Sequence, residues 1–166
     1  MFTKLYIAND HGGYTAKIKL LRRLDEIGVS YEDLGSHSEE TVRYPYYAAR
    51  AVAKVLADAG SGAVLICSTG IGMSIIANKF KGIRAALCTD GYMARATRMH
   101  NDSNVLCLGG RVSGDLAIQE IVDNWLAGEY QGGRHAISLG LIAQAEDDML
   151  GPASCGLMHV QPEDEK

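Results

Sequence analysis

Three short segments of the sequence place reactive side chains next to glycines. They are Asn9-Asp10-His11-Gly12-Gly13, Cys67-Ser68-Thr69-Gly70-Ile71-Gly72-Met73-Ser74 and Gly109-Gly110-Arg111. The second segment is the most informative, because a Cys followed by small residues that open a helix meets backbone N–H groups and a helix dipole. Both features favour a thiolate and attract an anion. Cys67 is therefore a candidate nucleophile or base.

Cys67 also has a simpler interpretation as a small buried hydrophobe that ends an apolar run, since buried Cys is common. Its position alone leaves both interpretations open. The Gly70-x-Gly72 pair favours function, because glycines let a ligand approach the backbone closely. The same pair would also permit tight packing of a helix against a sheet.

The sequence does not match three other known kinds of site that use similar residues. A cysteine phosphatase loop needs Arg six positions after the Cys, where this chain has Met73. A dinucleotide fingerprint needs Gly-x-Gly-x-x-Gly after the first strand, and residues 9–13 do not supply it. The five His and four Cys lack the paired spacing of zinc ligands, so we expect no metal.

Two histidines stand beside carboxylates, in Asp10-His11 and in Met99-His100-Asn101-Asp102. A neighbouring carboxylate orients an imidazole and adjusts its basicity. Gly132-Gly133-Arg134-His135 places an Arg at the start of the last predicted helix. An Arg there suits contact with an anion and equally suits exposure to solvent.

Short apolar runs alternate with amphipathic stretches along most of the chain. The pattern predicts strands over 4–8, 30–34, 63–67, 83–88 and 104–108, and helices over 14–26, 44–59, 70–80, 91–99, 114–127 and 134–149. This alternation predicts right-handed crossovers and an α/β, Rossmann-like, doubly wound sandwich: a five-stranded parallel sheet flanked by helices. Such sheets bind ligands at the carboxyl ends of their strands, where we expect the chemistry.

Length and composition favour one soluble domain. With 166 residues and a net charge of −4, the chain can bury a core of its own and lacks the basic footprint of a nucleic-acid-binding protein. We expect this domain over 1–150 and a flexible tail over 151–166, with Cys155 and His159 incidental. No signal peptide or membrane span is evident and the four Cys are not closely paired, so we expect a cytoplasmic protein with free thiols.

Several ordered motifs resemble the ribose-5-phosphate isomerase B family, which includes galactose-6-phosphate isomerase. The resemblance covers about residues 4–146, and it rests on Asp10-His11-Gly12-Gly13, the stretch 67–79, Gly82-Ile83-Arg84-Ala85, His100-Asn101-Asp102-Ser103-Asn104-Val105 and Gly132-Gly133-Arg134-His135. It implies an aldose–ketose isomerisation without cofactor, through a cis-enediolate. It also implies a homodimer or tetramer with sites between subunits and a small sugar phosphate as the substrate.

The resemblance also implies roles for individual residues. Cys67 would move a proton between C1 and C2 of the sugar, and Thr69 would assist at the substrate oxygens. Backbone N–H groups of residues 68–74 would form an oxyanion hole, through Ser68, Gly70, Gly72 and Ser74. His100, aided by Asp10, would open the furanose ring.

The remaining implied roles concern binding. Asn101 would bind sugar hydroxyls, the phosphate would be held by His11, Arg111 and Arg134, and the site would be lined by Tyr44 and His135. Holding the remote phosphate would place C2 over the base.

Two positions depart from the family pattern. A second Arg usually follows one helical turn after Arg134, where this chain has Ser138, and an acid usually precedes the Tyr-Pro pair, where it has Arg43. We expect interconversion of ribose 5-phosphate and ribulose 5-phosphate, as in the pentose phosphate pathway. The alternatives are a four- or six-carbon sugar phosphate, such as allose, galactose or erythrulose phosphate, or a silent sugar-phosphate-binding protein.

Overall fold

The five predicted strands form one sheet in which every strand is parallel to its neighbours. In the computed structural model, which describes residues 2–150, the strands are β1 (Leu5–Asn9), β2 (Tyr31–Asp33), β3 (Gly62–Cys67), β4 (Ala85–Leu87) and β5 (Val105–Gly109). Their order across the sheet is β2-β1-β3-β5-β4. All carboxyl ends therefore lie at one edge, as the predicted α/β fold requires, and the fold class is confirmed.

Helices cover both faces of this sheet. They are α1 (Tyr14–Glu26), α2 (Tyr44–Ala57), α3 (Ile71–Ala77), α4 (Gly91–Asn101), α5 (Asp115–Ala127) and α6 (Arg134–Leu150). Alternate strand residues face opposite layers, so that Leu65 and Cys67 belong to the core under α2 and α3, while Val64 and Ile66 belong to the core under α1, α4 and α5. Burial on both faces explains why β1, β3 and β5 are almost continuously apolar.

The elements agree with the sequence prediction except at their ends. The largest differences are α3, predicted over 70–80, and β4, predicted over 83–88, and both are shorter in the structure. One side chain accounts for both: Asn78 follows α3, and its amide donates to Ala85 O at 2.9 Å and accepts from Ala85 N at 2.9 Å. The helix ends where this side chain pairs with the edge strand.

A buried lysine fixes the connection between β2 and α2. Lys17 on α1 is fully buried, and its Nζ donates to Asp33 Oδ2 and to Ser36 O, both at 2.8 Å. A buried ammonium needs such partners to offset its lost hydration. The residues that lead to the start of α2 are thereby anchored to the domain.

The remaining expectations about organisation concern the ends and the membrane. The predicted tail, 151–166, with Cys155 and His159, lies outside the described residues. Among residues 2–150, no helix combines the length and the apolar composition that crossing a bilayer requires.

Candidate active site

The loop after β1 is built around the carboxylate of Asp10. Its Oδ1 accepts the N–H groups of Gly12 at 2.8 Å and Gly13 at 3.2 Å and so caps a 3-10 turn over His11–Gly13. Asp is a favoured residue at such a cap because its oxygen satisfies otherwise free donors. Asp10 is almost fully buried and is committed to shaping this turn.

Cys67 ends β3 and lies at the carboxyl edge beside this turn. Its side chain is buried, and Sγ accepts the N–H of Gly70 at 3.1 Å. A hydrogen-bond donor aimed at sulfur stabilises negative charge there. Thr69 Oγ1 accepts the N–H of Ile71 at 3.3 Å, so the Thr69 hydroxyl also lies at the start of α3.

Glycines pack the loops at this edge against one another. Gly70 has φ +76°, which side chains rarely adopt, and a Cβ there would lie 2.9 Å from the carbonyl carbon of Leu108. A Cβ on Gly12 would lie 2.2 Å from Ser68 Oγ, and one on Gly109 would lie 3.0 Å from the carbonyl of Thr69. The loops after β1, β3 and β5 therefore touch with no space for a methyl group.

Some backbone donors at the start of α3 remain free. The N–H groups of Gly70, Ile71 and Ser74 are used within the loop, whereas the bonds of the described residues leave those of Gly72 and Met73 unpaired. Free N–H groups in the first turn of a helix attract negative charge. These two donors are candidates for binding an anionic oxygen.

The loop after β5 places Arg111 at the same edge. Gly110 N donates to Cys67 O at 2.8 Å, and Arg111 N donates to Ser68 O at 3.0 Å. These bonds hold the backbone of Arg111, whose side chain is exposed, beside the cysteine loop. The three segments singled out in the sequence thus meet in space.

A cavity of about 500 Å³ adjoins this edge, between the turn after β1 and the start of α2. It is lined by Asp10, His11, Thr41, Val42, Arg43, Tyr44, Pro45 and Tyr46. His11 Nδ1 accepts the N–H of Val42 at 3.3 Å, which makes Nε2 the N–H donor of the neutral ring. The Arg43 side chain is exposed and makes no ion pair or hydrogen bond with the rest of residues 2–150.

Tyr44 links this cavity to the cysteine loop. A Cβ on Gly72 would lie 2.8 Å from Tyr44 Cζ, so the tyrosine ring rests on the first turn of α3. The sequence predicted a role for Tyr44 and Gly72 but gave no sign of this contact. Thr41 and Val42 were not predicted, because an irregular loop of ordinary residues carries no motif.

Four predicted site residues lie elsewhere. Helix α4 returns from the carboxyl edge, so that its last residues, His100 and Asn101, reach the amino edge, where Arg84 just before β4 donates to Asn101 O. The His100 ring stacks on that of His135, with centroids 4.5 Å apart. His135 adjoins Arg134 at the start of α6, so these four residues form one group, the amino-edge cluster.

Within a single chain the amino-edge cluster is therefore separate from the carboxyl edge, where the other predicted site residues lie. A strand of five residues spans about 17 Å, and this length separates Asp10 and Cys67 at the carboxyl edge from the cluster. The structure does not bring Asp10 and His100 together in one chain. Ten predicted residues share the carboxyl edge: Asp10, His11, Tyr44, Cys67, Ser68, Thr69, Gly70, Gly72, Ser74 and Arg111.

Burial shifts the pKa of three side chains, His135, Cys88 and Cys107. Partial burial lowers the pKa of His135, and the neighbouring charges of His100 and Arg134 lower it further. Burial raises the pKa of Cys88 to about 11, aided by Asp90, and it raises that of Cys107 well above the ordinary value. Within residues 2–150 no group of three or more His, Cys, Asp or Glu side chains is placed to hold a metal ion.

Comparison with known sequences points to a single family. A family model described as Ribose/Galactose Isomerase matches residues 5–142. The ribose-5-phosphate isomerase B of Escherichia coli is 45% identical over 132 residues, which are 80% of this chain and 89% of that protein. The Listeria innocua protein named ribose-5-P isomerase B is 36% identical and covers 86% of this chain and 97% of its own length.

Solved structures give the same result. Ribose-5-phosphate isomerase B of Clostridium thermocellum superposes with a TM-score of 0.85 at 45% identity, over 87% of this chain and 98% of that one. A ribose 5-phosphate isomerase of Thermotoga maritima gives 0.84 at 42% identity, over 87% and 99%. Because fold, motifs and family model agree over most of its length, this chain is an isomerase that belongs to the ribose/galactose isomerase family.

Proposed function

We propose that the protein interconverts ribose 5-phosphate and ribulose 5-phosphate through a cis-enediolate, with Cys67 as the base. The observation that carries the proposal is the buried Cys67 thiol, which accepts the N–H of Gly70 at the start of α3. A base takes the proton from C2 of the aldose and returns it to C1, while the hydroxyl proton moves from O2 to O1. No cofactor takes part in this scheme.

The charge that develops during this transfer needs stabilisation. As the C–H electron pair enters the enediolate, negative charge grows on the oxygens of C1 and C2. The unpaired N–H groups of Gly72 and Met73 are donors of the type that stabilises such charge. The Thr69 hydroxyl, next to these donors, is the group we propose for proton transfer between the two oxygens.

The amino-edge cluster enters the proposed site from a second copy of the chain. His100 would open the furanose ring, Asn101 would bind hydroxyls, and Arg134 would meet the phosphate beside His11 and Arg111. Exposed apolar side chains on α6 support self-association, with Ile137 70% and Leu141 62% exposed. A two-fold dimer would form two such composite sites.

Arg43 is the residue that we propose to complete the phosphate contact. It lines the same cavity as His11, and its guanidinium is free of other partners within residues 2–150. Ser138 on α6 is exposed and has no cationic group. A guanidinium binds phosphate well, because two parallel N–H groups match two phosphate oxygens.

The test is isomerase activity on a panel of four- to six-carbon aldose and ketose phosphates, with Cys67→Ala as the inactive control. Best turnover of ribose 5-phosphate, lost in the variant, supports the proposal. Better turnover of another sugar phosphate refutes the substrate but not the chemistry. Binding without turnover would leave a sugar-phosphate-binding protein as the function.

A further inference from the structure

The turn after α4 contains a strained residue that is held by two arginines. Asp102 has φ +44°, and among residues 2–150 it is the only residue other than glycine with a positive φ. Its Oδ2 accepts from Arg84 Nη2 at 3.0 Å, and its Oδ1 accepts from Arg98 Nη1 at 2.8 Å. Such strain persists only where the surroundings hold it, and it marks functional sites.

The same arginines bind carbonyl groups at the end of α4 and in the turn that follows it. Arg84 Nε donates to Asn101 O and to Asp102 O, both at 3.0 Å, and its Nη2 donates to Asp102 O at 2.7 Å. Arg98 Nη1 donates to Ser103 O at 2.7 Å. The last carbonyls of a helix lack partners within the helix, so these bonds fix its end from two sides.

Arg84 and the turn are themselves anchored to the domain. The Asn104 side chain accepts the N–H of Arg84 at 2.8 Å and donates to Gly82 O at 2.9 Å. The indole N–H of the fully buried Trp125 donates to Ser103 Oγ at 2.9 Å. The turn is therefore tied to β4 through Arg84 and to α5 through Trp125.

His100 and Asn101 directly precede this fixed turn. We infer that Arg84 and Asp102 are positioning residues, which hold the end of α4 so that His100 meets the ring oxygen of a substrate bound by the second copy. This inference rests on the proposed function, because it assumes that His100 opens the ring. A displacement of about 1 Å at a catalytic group can cost on the order of 100-fold in rate.

The two substrates of the proposed reaction separate positioning from mere stability. Ribose 5-phosphate is mainly ring-closed, whereas ribulose 5-phosphate forms no furanose ring because its O5 carries the phosphate. Exchange of a C1 hydrogen of ribulose 5-phosphate with solvent deuterium therefore measures enediolate formation without a ring step. Turnover of ribose 5-phosphate includes that step.

The variants are Asp102→Asn and Arg84→Gln, with Arg95→Gln as the matched control. Asn tolerates the left-handed conformation, and the exposed Arg95 lies on α4 with no side-chain bond within residues 2–150. Turnover of ribose 5-phosphate should fall about tenfold or more in both variants, with C1 exchange within about twofold of wild type. The control should match wild type in both assays.

Equal losses in both assays, or no loss in either, would overturn the inference. Should Asp102→Asn fail to fold, Asp102→Gly replaces it, because glycine adopts φ +44° without strain; full activity of that variant would also overturn it. His100→Ala is the reference. If His100→Ala loses turnover of ribose 5-phosphate but keeps C1 exchange, and Asp102→Asn does not show this selective loss, only the positioning role fails. If His100→Ala turns over ribose 5-phosphate normally, the proposed role of His100 fails as well.

Discussion

The imidazole rings of His100 and His135 stack with their centroids 4.5 Å apart and their planes 14° apart. His100 lies in the last turn of α4 and His135 in the first turn of α6, so the pair joins the last helix to the domain. A positive charge on His100 opposes the protonation of His135. The stack is consequently a contact that depends on pH.

Acid should weaken this contact through His135. Its pKa is lowered from the ordinary 6.5 by desolvation, His100 and Arg134, so below about pH 6.5 the unfolded chain binds the proton more readily than the folded one. The contribution of His135 to the free energy of unfolding is therefore fully present above that pH, and it is lost as the pH falls through the lowered pKa of His135. As the pH is lowered from 7.5 through 6.5 to 5.5, the melting temperature should fall more steeply in wild type than in His135→Phe.

The control for this measurement is His37→Phe, because His37 is 80% exposed and lies far from the stack in sequence. Its melting curve should keep the pH dependence of wild type. Parallel pH profiles in wild type and His135→Phe would contradict the prediction.

Mixing two inactive variants should restore activity. Cys67→Ala removes the proposed base at one edge, and His100→Ala removes the proposed ring-opening group at the other. A mixed dimer then has one site with both defects and one intact site, so an equal, fully exchanged mixture should recover about a quarter of wild-type activity. Turnover of ribose 5-phosphate is measured after the two variants have been dissociated and reassociated together. No recovery, with mixed dimers present, would place both residues of each site on one chain.

Loss of the Cys67 thiol should stop proton transfer without stopping binding. Cys67→Ala should slow exchange at C1 of ribulose 5-phosphate by about 100-fold or more, as expected for loss of a general base. Calorimetric affinity for ribose 5-phosphate should change little. Cys88→Ala, a second buried cysteine, is the control and should exchange at the wild-type rate. Normal exchange in Cys67→Ala would exclude the thiol as base.

Arg43 should act on substrate binding more than on the chemical step. Arg43→Ala should raise KM for ribose 5-phosphate about tenfold or more, as expected for loss of a charge-assisted phosphate contact, with kcat within about threefold. Arg22→Ala, an exposed arginine on α1, should leave both constants unchanged. An unchanged KM in Arg43→Ala would remove this residue from the phosphate site.

Thiol reagents should distinguish the cysteines. The raised pKa of Cys88, about 11, and that of Cys107 keep both protonated at neutral pH, and protonated thiols react slowly. In a Cys155→Ser background, mass spectrometry after brief alkylation at pH 7.5 should find the label on Cys67. Faster labelling of Cys88 or Cys107 in the folded protein would contradict this.

The sequence was sufficient for the architecture and for the cysteine-centred edge. Apolar runs of strand length between amphipathic helices indicate a parallel sheet, and the glycines around Cys67 indicate close packing of the loops. Both indications depend on local pattern, which a single sequence displays directly. The ends of elements do not follow from local pattern. Helix α3, for example, ends where Asn78 pairs with Ala85, a residue on another element.

The location of the amino-edge cluster did not follow from motifs. Residues 100–105 form a motif, yet the motif gives no position along a helix axis. At 1.5 Å per residue, α4 carries His100 about 14 Å beyond Gly91, which takes it from one edge of the sheet to the other. The bonds of Arg84 to Asp102 cross 18 residues of sequence and leave no periodic signal.

Gly12 packs closely against Ser68, and Gly109 packs closely against Thr69. The loops after β1, β3 and β5 therefore form a tightly packed floor beneath the candidate site. A side chain at Gly12 would displace Ser68 Oγ, and one at Gly109 would press on the carbonyl of Thr69, so a substitution at either glycine would shift the neighbouring loop. Any adaptation to a sugar of another length must therefore take place in the walls. Those walls are the segment before α2, which carries Arg43, and, in the proposed dimer, helix α6 of the second copy, which carries Ser138.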